Sequence, residues 1–97
     1  MTVILVTRHI GAVQWIREQG LQVDQQRAHL EIDQVAHGDT VIGALPVHLV
    51  ADVCSRGARY FHLVVESPLE LRGKELTADD MRRLGACLLE YNVKKIG

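Results

Sequence analysis

The chain reads as an α/β domain with a mostly parallel sheet and helices on both faces. Three observations carry that reading. Apolar, β-prone runs alternate with helix-period segments, the pattern left by parallel strands joined through helical crossovers. The first run, Val3-Ile4-Leu5-Val6, is unbroken by polar residues, as a strand covered on both faces requires. The runs ending at Val6 and Ala44 also lead at once into helix-start signals.

Taken in order, the first strand is Thr2 to Val6 and helix one runs from Gly11 to Gln19. That helix carries the chain's single tryptophan, Trp15, and stops at Gly20, a left-handed cap. Leu21-Gln22-Val23 and Ala28-His29-Leu30-Glu31-Ile32 are weaker strand signals on either side of the polar Asp24-Gln25-Gln26-Arg27, and the second is favoured. A loop with a turn at His37-Gly38-Asp39 leads to strand three, Thr40 to Ala44. Pro46 opens helix two at its first position, where its missing N–H costs nothing. Val47, Leu49, Val50, Ala51, Val53 and Cys54 make that helix apolar on more than one face, so it is buried on two sides or lies in a subunit interface.

Gly57 ends helix two, and Arg59 to Val65 is strand four. After a charged loop from Glu66 to Glu75, Thr77-Ala78-Asp79-Asp80 forms a capping box for helix three, whose stripe is Met81, Leu84, Leu88 and Tyr91. Val93 to Gly97 is a short edge strand or a frayed tail. The order amounts to a compact Rossmann-like domain.

Ninety-seven residues allow one domain, and small α/β domains often gain burial by dimerising. A hydrophobic share of 47% with 24% charged residues is that of an ordinary soluble protein. No apolar run approaches a membrane span, and no basic region precedes the first strand, so a cytoplasmic protein with no membrane partner is expected. The net charge of −1 argues against long nucleic acid as a partner, because that affinity comes from neutralising many phosphates. Cys54 and Cys87, both expected inside helices, form no metal signature and read as reduced core or interface residues.

If strands one, three and four are parallel, their carboxyl ends share one edge, where ligands of open α/β sheets bind. That edge gathers Thr7-Arg8-His9, then Leu45-Pro46-Val47-His48, then the loop holding Arg72 and Lys74. Arg8 offers a planar fork of donors suited to phosphate. His9 and His48 can each donate a hydrogen bond or exchange a proton near neutral pH. Helix N-termini near Gly11 and Pro46 add partial positive charge, and Arg72 and Lys74 add cations. The cluster suits a phosphate or phosphodiester. No metal-ligand spacing and no nucleotide-loop glycine motif is present, so no cofactor and no metal are expected. His62, in the middle of strand four, reads as a satisfied sheet histidine, and His29 and His37 as surface residues.

Four stretches together resemble a known family. They are Val6-Thr7-Arg8-His9-x-Gly-Ala-x-x-Trp15, Gly38-Asp39-Thr40-Val41-Ile42-Gly43-x-Leu45-Pro46-Val47-His48-Leu49, and Arg56-Gly57-Ala58-Arg59-Tyr60-Phe61-His62-Leu63 with Arg72-Gly73-x-Glu75-Leu76-x-Ala78-x-Asp80-Met81. They are similar to a small CRISPR-associated accessory family found beside type III systems, the sixteenth of the Csx series. The resemblance implies a ring nuclease, which degrades the cyclic oligoadenylates that switch on antiviral defence nucleases. It implies a reduced, CARF-like version of the Rossmann-like sensor domains that bind such rings, and a homodimer with cyclic tetra-adenylate across its two-fold axis.

Such a reaction needs no metal if a ribose 2′-hydroxyl attacks its adjacent phosphate. On this reading Arg8 stabilises charge, His9 moves a proton or orients the phosphodiester, and His48 is a second candidate acid. Thr7 and the amides near Gly11 bind phosphate, Pro46 is a further ligand-binding residue, and Arg72 and Lys74 hold the ring. The alternative is a non-catalytic protein that binds cyclic oligoadenylate as a sink or sensor.

Overall fold

In the computed structural model, which describes residues 1–66 and 75–97, five strands form one sheet in the order β2-β1-β3-β4-β5. The strands are β1 (Val3–Val6), β2 (Gln25–Arg27), β3 (Thr40–Gly43), β4 (Arg59–Val64) and β5 (Cys87–Tyr91). The first four run parallel, and β5 pairs antiparallel with β4. The helices are α1 (Ile10–Glu18), α2 (Val47–Ser55) and α3 (Ala78–Arg83).

Side-chain alternation divides the core into two layers. Ile4, Val6, Val41 and Tyr60 point to one face and are covered by Val50 and Val53 of α2. Leu5 and Ile42 point to the other, beneath Ala12, Trp15 and Ile16 of α1 and Met81 of α3. The central strands β1 and β3 therefore bury both faces, as their unbroken apolar runs demand. Trp15, 5% exposed, belongs to this core. Helix two is less deeply placed than its wide stripe suggests: Val50 and Val53 are buried, while Val47 is 68% exposed.

Three expectations are corrected. The second strand is neither apolar candidate but the polar segment between them, Gln25–Arg27. It is an edge strand, fixed by backbone pairing to Ile4, Leu5 and Val6, and an edge needs no apolar alternation. Val23 packs beneath α1, and Leu30 and Ile32 pack under α2, without being strands. Pro46 stands one residue before α2, as its cap, not at its first position.

The largest correction concerns helix three. It begins as expected, with the Thr77 and Asp80 side chains each bonded to the other's backbone N–H. It then stops at Arg83. Gly85 takes φ +71°, and the Gly85 and Ala86 amides donate to the Arg82 and Met81 carbonyls at 3.3 and 2.9 Å. This is a Schellman closure, which needs a left-handed residue and ends the helix. The residues beyond it, including Cys87 and Leu88, form β5 instead. Cys87 is consequently exposed on an edge strand, while Cys54 sits half-buried on α2; both are free thiols. The residues after Tyr91 form no regular element.

Candidate active site

The chain leaves β1 towards β2 on one side and later returns to place β3 on the other. The carboxyl ends of β1 and β3 are thus the point where connections diverge, and a crevice opens between them. It is a cleft of 570 Å³. Its walls include Thr7, Arg8 and His9 after β1, Ala44 and Leu45 after β3, and His62 near the end of β4.

The β1–α1 loop is shaped by its own polar groups. The Thr7 amide donates to the Arg27 carbonyl at 2.9 Å, and the Thr7 hydroxyl accepts from the His9 amide at 3.1 Å. His9 is extended, at φ −101° and ψ 123°, and its side chain makes no capping bond. Its carbonyl accepts from Ala12 at 3.2 Å, so α1 begins on the backbone of His9 while the imidazole is left for other contacts. That imidazole lies 3.8 Å from the Glu75 carboxylate, with both side chains exposed. Among the described residues, no hydrogen bond uses the Ile10 or Gly11 amides. Helix-terminal amides of this kind are where anions bind.

Gly11 is buried and has a packing role as well. A Cβ there would come within 2.0 Å of the Leu76 carbonyl oxygen. Only glycine lets α1 approach the Leu76–Thr77 backbone so closely, and Leu76 is itself a wall of the cleft. Gly43 is similar, since a Cβ would lie 2.9 Å from the Val6 oxygen at the cleft's throat.

Arg8 is exposed, and its guanidinium donates to His29 Nε2 at 2.7 Å. His29, read from the sequence as a plain surface residue, therefore contacts Arg8 from the segment after β2. Among the described residues, the guanidinium has no hydrogen-bond partner besides His29, which leaves most of its donors for a ligand.

The structure brings Thr7, Arg8 and His9 together and separates them from other expected members. Pro46 and His48 are exposed and do not line the cleft, although Leu45 does. Arg72 and Lys74 lie outside the described residues.

His62 is the member that strand position alone concealed. Alternation puts it on the same face as Tyr60, where both line a pocket with Val47, Val50 and Tyr91, and His62 also borders the cleft. Its Nδ1 is 2.7 Å from the Tyr60 hydroxyl, and the Tyr91 ring stands edge-on to it at 6.0 Å. Tyr60 is nearly inaccessible, at 1% exposed. Burial pushes its phenol above the ordinary tyrosine range, and the Leu45 amide pulls the other way, so the phenol keeps its proton.

Among the described residues, no group of three or more His, Cys, Asp or Glu side chains could hold a metal ion, and no helix is long and apolar enough to cross a membrane. What the cleft does offer is a guanidinium, two imidazoles, a hydroxyl and free helix-terminal amides around an apolar floor. Residues 4–94 match the model of a protein family described as "Putative CRISPR-associated protein (Cas_VVA1548)". No curated protein and no solved structure matches the chain.

Proposed function

The chain belongs to this CRISPR-associated family, and from that premise we propose that it is a ring nuclease of type III defence. It opens cyclic oligoadenylate, cyclic tetra-adenylate foremost, by metal-independent attack of a ribose 2′-hydroxyl. The observation that carries the reading is the convergence of Arg8 and His9 on one cleft at the divergence of β1 and β3. The resemblance to the sixteenth Csx family supplies the ligand class and a Rossmann-like, CARF-like lineage.

The 2′-oxygen attacks the adjacent phosphorus, and the bond to the 5′-oxygen breaks. The products are a 2′,3′-cyclic phosphate and a 5′-hydroxyl. Arg8 stabilises the charge gathering on the phosphoryl oxygens, where one well-aimed donor is worth about 3 to 4 kcal/mol. His9 protonates the leaving oxygen. Thr7 and the Ile10 and Gly11 amides hold a neighbouring phosphate. Pockets of about 300–1,000 Å³ enclose a drug-sized ligand. A four-nucleotide ring is larger than one such cleft, so two clefts of a symmetric homodimer share it.

The test is incubation of pure protein with cyclic tetra-adenylate and excess chelator. Linear products over many turnovers support the reading. Tight binding with the ring intact makes the protein a sink or sensor instead.

A further inference from the structure

The Tyr60 hydroxyl sits among three polar neighbours. The Leu45 amide lies 2.9 Å away, the Gly43 carbonyl oxygen 3.0 Å, and His62 Nδ1 2.7 Å. The amide can only donate and the carbonyl can only accept. The phenol has a single proton. If that proton pointed at Nδ1, the phenol oxygen would face the carbonyl oxygen at 3.0 Å with no hydrogen between them. If it points at Gly43, every group is satisfied, provided that Nδ1 carries a hydrogen and donates to the phenol. Of the two arrangements, this one alone avoids setting two oxygens face to face at 3.0 Å.

The neutral imidazole has one N–H and one lone pair. With the hydrogen held on Nδ1, the lone pair is on Nε2. Among the described residues, Nε2 has no hydrogen-bond partner. His62 lines both the cleft that holds Arg8 and His9 and an adjoining pocket that holds Tyr60 and Tyr91, and the Tyr91 ring stands edge-on to the imidazole.

We infer that Tyr60 and the Gly43 carbonyl lock His62 in the Nδ1–H form, so that its Nε2 is the proton acceptor for a ribose hydroxyl in the cleft. This rests on the ring-nuclease reading and deepens it by separating the two proton roles. Nε2 takes the 2′-hydroxyl proton as the 2′-oxygen bonds to phosphorus. The bond to the 5′-oxygen breaks, and that oxygen takes a proton from His9. His62 ends as the imidazolium and His9 as the neutral base; water exchanges protons with both before the next turnover. General-base help of this kind contributes about 100-fold or more.

The test has two arms. The first is nitrogen-15 NMR of the free protein's imidazoles, followed by addition of cyclic tetra-adenylate. The expected spectrum of His62 shows a protonated Nδ1 and a bare Nε2, and the Nε2 resonance moves when the ring is added. A proton on Nε2 in the free protein overturns the inference, as does an Nε2 resonance that the bound ring leaves unmoved.

The second arm is His62→Asn, whose side-chain amide keeps a donor near the Nδ1 position for Tyr60 and lacks Nε2. Cleavage falls at least about 100-fold, while ring affinity and the unfolding midpoint stay close to the native protein's. Cleavage within threefold of native overturns the catalytic role. A native protein that binds the ring without opening it removes the nuclease reading, yet the NMR arm still decides whether Nε2 meets the ligand. If it neither binds nor opens the ring, the ligand contact falls with the function, and the free-protein spectrum alone decides the tautomer.

Discussion

Arg8 donates a 2.7 Å hydrogen bond to His29 Nε2, which ties the loop after β1 to the segment after β2. The contact fixes a long, exposed cation at the cleft mouth. Loss of rotamer freedom is then met largely before a ligand arrives, and less of the binding energy goes into ordering the side chain. Arg8→Ala should therefore slow ring cleavage by about 100-fold or more, the usual cost of losing a donor to developing charge. His29→Ala leaves the charge in place and unties it, so a loss below tenfold is expected, mainly in KM. Steady-state kinetics on both variants check this; equal losses in kcat would mean that His29 touches the ring itself.

Asp39 is the buried carboxylate of the chain's described residues, 6% exposed. It accepts from the Ala36 amide at 2.9 Å and the Thr2 amide at 3.1 Å. The Ala36 bond holds its carboxyl below the ordinary range; burial opposes this, and the Thr2 bond and the N-terminal charge assist. A depressed folded-state value means stability that is present above the unfolded value of about 3.9 and lost as pH falls through the folded one. Asp39→Ala should cost about 1–3 kcal/mol at pH 7, since it strands two amides. In urea unfolding, the gap between native and variant should narrow below about pH 4. A gap that is constant down to pH 2 would remove the carboxylate's charge from the explanation.

Much of the scaffold is legible in the residues, for identifiable reasons. β1, β3, β4, α1 and α2 lie within a residue or two of their expected bounds, because burial on both faces or one wide stripe writes itself into composition. Gln25–Arg27 was hidden because an edge strand is held by backbone bonds, which carry no side-chain signature. β5 was hidden by coincidence of period: Met81, Leu84, Leu88 and Tyr91 keep helical spacing straight across a left-handed glycine. The site divided in the same way. Thr7, Arg8 and His9 follow a strand end and were findable. His48 needed the pitch of α2 to be placed, and His62 needed the neighbouring Tyr60 hydroxyl to be noticed.

Gly85 carries the break between α3 and β5. Its φ is +71°, and an added Cβ would meet nothing within 4 Å. The effect of Gly85→Ala is thus conformational alone, with an expected cost of about 1–2 kcal/mol. Denaturant unfolding measures it. A neutral substitution would show that the helix can end without the left-handed residue.

Gly11→Ala acts through contact and not through conformation. The new Cβ would lie 2.0 Å from the Leu76 oxygen and 2.8 Å from the Thr77 carbonyl carbon. Both are backbone atoms, so no side chain can swing aside, and α1 or the start of α3 must retreat. Overpacking costs about 1–3 kcal/mol even where side chains can yield, and this site lies at the upper end or beyond. The displacement also moves Leu76, a cleft wall, relative to Thr7 and Arg8. Stability and ring affinity should therefore fall together in Gly11→Ala, whereas Gly85→Ala lowers stability and spares affinity. Denaturant midpoints and equilibrium binding on the pair decide it. A Gly11→Ala protein with native affinity would separate the α1 packing contact from the shape of the cleft.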